Sequence, residues 1–187
     1  MACLPPALYG ILGIMLTYTE TERLRAAIDE AEHERDIPAT LREKLAALRP
    51  AIPEDPDALE KEYIRLFMDP LGSPCRLWQS ASVQPLTLMG DPHMRALEWY
   101  RRKGFEPRKK NEPADHAGHL LLFYSRLLET EGDSEEAARF RSEHLEWIPG
   151  LLEEIARHTR LSFYRELAGF GLMIFNPPEA ASKSSTK

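Results

Sequence analysis

Apolar residues recur along the chain with the spacing of helices. Leu24, Ala27, Ile28 and Ala31 form one stripe, and Leu59, Tyr63, Leu66 and Phe67 form another. No comparable run alternates with period two. All of the fifteen prolines except Pro149 fall between periodic segments, where a missing N–H costs least. Asp91 followed by Pro92 reads as an N-cap and first helical position, and Asp133 with Glu136 as a capping box, so helices are expected to start at about 92 and 134. Ala137, Phe140, His144, Trp147, Leu151 and Ile155 then share a stripe that runs through Pro149. That proline predicts a kink, or two helices joined end to end. Leu161 to Phe175 again reads helical.

The chain is therefore expected to be all-α, a single compact domain of about eight or nine helices over residues 1–175. The polar segment 176–187 has nothing to bury and is expected to be a disordered tail. Two internal segments lack helical signals. DPLGSPCRLWQSASVQP, 69–85, places a tryptophan among turn formers. GFEPRKKNEP, 104–113, is basic, has no evident core contacts, and reads as a hinge between an N-terminal half, 1–103, and a C-terminal half, 114–175. Each half is too one-sided to stand alone. The halves should pack together, as a monomer, with a domain-swapped dimer as the alternative if the hinge opens.

Composition narrows the class. A chain of 187 residues buries enough surface to need no staple. Cys3 and Cys75 lack CxxC spacing, so neither a disulfide nor a zinc site is expected, and a reducing, cytoplasmic setting is the default. The opening apolar run PPALYGILGIMLTY has no basic residue before it and is too short to span a bilayer, so it is expected to be a buried first helix. A formal net charge of -6 disfavours nucleic acid and favours a cationic partner. Arg101, Arg102, Lys103, Gly104 and Phe105 imitate a twin-arginine export signal, yet they lie mid-chain without an apolar run behind them. With Arg108, Lys109 and Lys110 they read as a solvated basic strip. No phosphate-binding glycine motif or nucleophile triad is present, and no cofactor is expected.

The densest chemistry lies in NEPADHAGHLLLFYSRLL, where Glu112, Asp115, His116 and His119 precede a leucine-rich helix. Three readings compete. Glu112, His116 and His119 resemble part of a metal site, as in a small metal-dependent hydrolase, but i, i+3 histidines without a clear fourth ligand are common on helices. Asp115 is a natural N-cap for the following helix. The carboxylates of Glu112 and Asp115 are also suited to accept paired hydrogen bonds from guanidinium groups, with Trp78, Leu66, Phe67 and Tyr124 lining an apolar groove beside them. His144 reads as a core histidine with a satisfied hydrogen bond. Glu62 and Arg65 read as a helix-surface pair.

The order EYIRLF, a proline-rich loop ending LWQSAS, YRRKGFEP, EPADH before a leucine-rich helix, FRSEHLEWIP, and FYRELAGF resembles the TorD/DmsD/NarJ family over roughly residues 7–170. These are cytoplasmic chaperones that mature molybdopterin-containing oxidoreductases and proofread their twin-arginine signal peptides. The resemblance implies a TorD-like helical fold, no catalytic residues, and a partner that is the leader and apo form of such an oxidoreductase. It implies a peptide-binding role around Glu112, Pro113, Asp115 and His116, together with Trp78 and Ser80. Ala114, Gln79 and Leu120 stand where the family often has acidic residues, which leaves the client enzyme unassigned. A helical regulatory or scaffold protein is the remaining alternative.

Overall fold

The computed structural model describes residues 4–83, 88–109 and 111–177. Ten α-helices occupy them: α1 Pro6–Thr17, α2 Thr21–Glu32, α3 Ala39–Ala51, α4 Pro56–Tyr63, α5 Gln79–Val83, α6 Asp91–Lys103, α7 Ala117–Glu131, α8 Glu135–His144, α9 Ile148–His158 and α10 Ser162–Phe175. Among the described residues, the only extended pairing is a single antiparallel bridge between Trp78 and His116. No described helix is long and apolar enough to cross a membrane.

α1 is the axis of the core. Its apolar residues lie all round the helix, and Leu8, Leu12, Met15 and Leu16 are fully buried, as expected for a helix enclosed by others. It packs mainly on α7, and the two backbones meet at paired glycines. A Cβ on Gly13 would stand 2.8 Å from the Gly118 carbonyl oxygen, and one on Gly118 would stand 2.7 Å from that of Gly13. No side chain fits at that crossing. α2 covers α1 and α3, α10 packs on α9, α3 and α1, α8 on α7, and α5 on α6. The N- and C-terminal helices thus share one core.

Local signals explain most boundaries. α8 and α9 are separate helices, with Pro149 in the first turn of α9, so the long stripe is two helices end to end. Two caps fall one residue from the expected positions. Gly90 rather than Asp91 precedes α6, leaving Asp91 in the first turn, and Ser134 rather than Asp133 caps α8 through its Oγ, which accepts from the Ala137 N–H at 3.2 Å. Pro50 lies inside the last turn of α3, whereas Pro6, Pro56, Pro92 and Pro149 occupy first turns. The segment 69–85 is not wholly irregular: residues 79–83 form α5, which brings the count to ten.

The segment 104–113 was expected to lack core contacts, and it has them. Gly104 ends α6 in the left-handed conformation, with φ of +63°. Phe105 turns inward with its ring 4.9 Å from Tyr100 and 5.3 Å from Phe123, and Lys109 Nζ donates to the Thr17 carbonyl at 2.8 Å. One aromatic anchor and one cation at the carboxyl end of α1 hold this segment down. The expected tail falls almost wholly on residues 178–187, outside the described residues, as does Lys110.

α4 runs on into a π turn, Ile64–Met68. The wider turn is served by the following loop, where Cys75 N–H donates to the Leu66 carbonyl at 3.0 Å. At its start Glu62 is buried and not a surface residue: its carboxylate accepts from Arg65 Nε and Nη2 at 2.7 and 2.8 Å, from Thr159 Oγ1 at 3.1 Å and from the Arg160 N–H at 2.6 Å. A pair expected on one helix face instead ties α4 to the α9–α10 connection.

Candidate functional site

The Trp78–His116 bridge joins two segments distant in sequence. Gln79 N–H donates to the Asp115 carbonyl at 3.1 Å and Ala117 N–H to the Leu77 carbonyl at 2.7 Å. This pairing sets the first turn of α5 against the chain entering α7. Asp115 Oδ2 then accepts from the Ser80 N–H at 2.8 Å and, at short range, from Ser80 Oγ. Asp115 therefore caps α5, not its own helix. His116 caps α7 in its place: its Nδ1 accepts from the Gly118 N–H at 3.1 Å, which leaves the ring proton on Nε2. The far end of α5 is closed by Arg76 Nη1, which donates to the Ala81 carbonyl at 3.0 Å.

The junction is dry. Asp115 is 0% exposed, and His116, His119 and His144 are all buried. Gln79 spans the gap to α8, with Nε2 donating to the Glu143 carbonyl and Oε1 facing His144 Nδ1, each at 2.8 Å. That ring is a core histidine with one nitrogen satisfied, while its Nε2 has no hydrogen-bond partner. Burial is the main cause that lowers all three histidines. His116 is held well below the usual imidazole value, helped by His119 and Lys109, and His119 and His144 lie at about 4. Neutral imidazoles fill this junction at ordinary pH.

One carboxylate oxygen here is left unsatisfied among the described residues. Asp115 Oδ1 has no hydrogen-bond partner and lies 3.9 Å from His93 Nδ1. That same nitrogen accepts from the Ala114 N–H at 2.9 Å. Beyond His93 lies a surface pocket of about 310 Å³ between α6 and the segment 105–114, with Leu97, Tyr100 and Phe105 along its apolar wall. Glu106, Glu112, Arg101 and Lys109 border it, and the Lys109 ammonium is turned toward Thr17. Met89 stands at the pocket with φ of +57°, a strained value for a side chain. Its side chain is exposed, as are those of Val83, Leu88 and Met94.

Of the residues singled out from sequence, Trp78, Ser80, Asp115 and His116 are brought together, and Glu112 stands apart from them in the pocket wall. Leu66, Phe67 and Tyr124 do not line an open groove. Phe67 packs against Tyr63 and Tyr164, Tyr124 against Tyr9 and Phe140, and Leu66 is fully buried, because the helical stripe that drew attention to them is the core stripe. Among the described residues, no three His, Cys, Asp or Glu side chains are placed to hold a metal ion, and His116 Nδ1 is already engaged in its cap. His93 went unnoticed in the sequence, and Phe105 was read only as part of the basic segment and hinge. GDPHM signals a helix start, and nothing local shows that its histidine faces Asp115.

Comparison with known proteins assigns the class. The fold matches that of an Archaeoglobus fulgidus protein described as a redox enzyme maturation protein, with a TM-score of 0.67 and 21% identity over 91% of this chain and 93% of the other. Residues 34–159 match the model of the nitrate reductase delta subunit family, and the chain belongs to that family, the TorD/DmsD/NarJ group its motifs resemble. Its relatives include the Tat proofreading chaperone DmsD of Salmonella typhi, 32% identical over 114 residues, and that of Salmonella typhimurium, 30% identical over the same length. The alignment covers 59% of this chain and 55% of each relative, so the chain spans about half the length of the curated relatives it matches.

Proposed function

We propose that this protein is a non-enzymatic chaperone that binds the twin-arginine leader of a molybdopterin oxidoreductase and holds the apo-enzyme until its cofactor is in place. Family membership and the DmsD relatives support the chaperone class. The observation that carries the leader-binding reading is the pocket that has Glu112 and the exposed Met89 in its lining, with Leu97, Tyr100 and Phe105 as its apolar wall. A leader offers guanidinium groups followed by an apolar stretch, and here a carboxylate and an exposed methionine share one pocket with an apolar wall. Flexible methionines accept apolar segments of varied sequence. Glu112, partly exposed in the pocket lining, is the accessible guanidinium acceptor, since Asp115 is fully buried.

Titration calorimetry with a synthetic peptide carrying an Arg-Arg pair ahead of a leucine–alanine segment tests this. The Gln-Gln counterpart should bind about tenfold more weakly, the equivalent of about 1.4 kcal/mol. Identical isotherms for the two peptides would falsify the reading.

A further inference from the structure

The buried Asp115 carboxylate uses only half of its accepting capacity. Oδ2 holds the first turn of α5 through Ser80, while Oδ1, equally buried, meets no donor. An ionised carboxylate accepts hydrogen bonds on both oxygens, and a buried one left bare on one side costs free energy. His93 cannot relieve it in the arrangement shown. Its Nδ1, the atom 3.9 Å away, already accepts from Ala114, so a neutral ring presents a lone pair to that region and not an N–H.

The bare oxygen therefore faces a side chain that closes it off without satisfying it. The same side chain lines the pocket whose wall contains Glu112, and Asp115 does not reach that lining. His93 touches both spaces, and its side chain is 14% exposed. Turning it costs one hydrogen bond to Ala114 and no helix, whereas reaching Oδ2 would require α5 to leave its place.

We infer that His93 is a gate between the pocket and Asp115, and that an arginine side chain entering beside Glu112 displaces it and takes Asp115 Oδ1 as a second acceptor. This rests on the leader-binding reading and assigns within it a residue that sets preference for guanidinium. The planar guanidinium carries donors on more than one edge, so one arginine is able to address Glu112 at the surface and Asp115 beneath it. A lysine ammonium, a compact and strongly hydrated charge, is less suited to follow it inward. Ser80 keeps its hold on Oδ2 throughout, so α5 stays docked.

The test is a double-mutant cycle read with the Arg-Arg and Gln-Gln peptides. His93→Ala should raise affinity for the Arg-Arg peptide about tenfold, the scale of one charge-assisted hydrogen bond, and leave the Gln-Gln peptide unchanged. In the His93→Ala, Asp115→Asn double variant that gain should vanish. His93→Gln, which retains an acceptor for the Ala114 N–H, should show a smaller gain in the same direction. An equal gain for both peptides, a gain that survives Asp115→Asn, or no gain in folded variants overturns the gate. So does failure of both His93 variants to fold, because a gate is dispensable to the fold. If the unaltered protein does not distinguish the two peptides, the leader-binding reading falls as well; if it does and the His93 variants change nothing, only the gate is lost.

Discussion

Glu62 and Asp115 are both buried carboxylates that tie together segments distant in sequence, and they are satisfied very differently. Glu62 receives four hydrogen bonds over its two oxygens, including a two-point contact from Arg65, a cation that itself also donates to the His158 carbonyl at 2.6 Å. Asp115 receives its two side-chain bonds from one residue on one oxygen, from uncharged donors, and among the described residues no Lys or Arg pairs with it, its one ion-pair contact being the His93 ring at 3.9 Å. A fully occupied carboxylate with a fixed counter-charge is a pin, because any change leaves groups stranded. A half-occupied one without a counter-charge has capacity to spare for a cationic ligand. The two junctions are expected to respond differently to acid, to mutation and to peptide.

Acid should separate them most clearly. His116, His119 and His144, which surround Asp115, have pKa values lowered below 6.5 in the folded state, so the unfolded chain takes up protons first as pH falls. Their full contribution is present above pH 6.5 and is lost progressively toward pH 4. Glu62, lowered below its usual 4.5, keeps its contribution down to that pH and loses it below. Stability measured by denaturant unfolding should drop between pH 7 and 5 by about 2 kcal/mol for each of the three histidines. His144→Gln should reduce that slope by about a third, the share of one histidine of three, while leaving the loss below pH 4.5 intact. A level profile between pH 7 and 5 would break the distinction.

Mutation at the pin should cost less. Glu62→Ala strands Arg65, Thr159 Oγ1 and the Arg160 N–H together, and is expected to cost about 2–3 kcal/mol, lowering the melting temperature by about 5–10 °C. Calorimetric melting checks it, and peptide affinity measured alongside should hardly change. A melting temperature within a degree of the unaltered protein would make Glu62 as dispensable as a surface pair.

The smallest stability effect belongs to Asp115→Asn. The amide oxygen still accepts from Ser80, and the new NH2 takes the position of the oxygen that had no partner. Melting should shift by only about 2 °C, while affinity for the Arg-Arg peptide falls about tenfold, because the charge that meets the guanidinium is gone. A large loss of stability with unchanged binding would make Asp115 a pin like Glu62.

Local periodicity was enough to read much of the helical order. The division of one apolar stripe by Pro149, the enclosed first helix and the leucine-rich α7 all depend on residues within a few turns of one another, where 3.6-residue spacing and proline sterics act directly. The EPADH stretch likewise announced concentrated chemistry. Its roles were another matter. Asp115 has the composition of a cap for the helix that follows it, yet it caps one 35 residues earlier in the chain, and His116 takes the local position. Leu66, Phe67 and Tyr124 carry the same apolar signature whether they face a groove or a core, and only packing makes them core, with α4 and α10 against Phe67 and α1 and α8 against Tyr124. Phe105 looked like part of a linker until Tyr100 and Phe123 were found against it.

What the sequence determined by itself is the set of helices, their approximate ends and the residues with the chemistry to meet a cation, because those follow from backbone sterics and side-chain type. The tertiary structure alone decided which carboxylate is exposed, which is pinned and which is left half satisfied beside His93. A hydrogen bond has a reach of about 3 Å and a strict direction, so its partner is chosen by how the helices pack and not by their order along the chain.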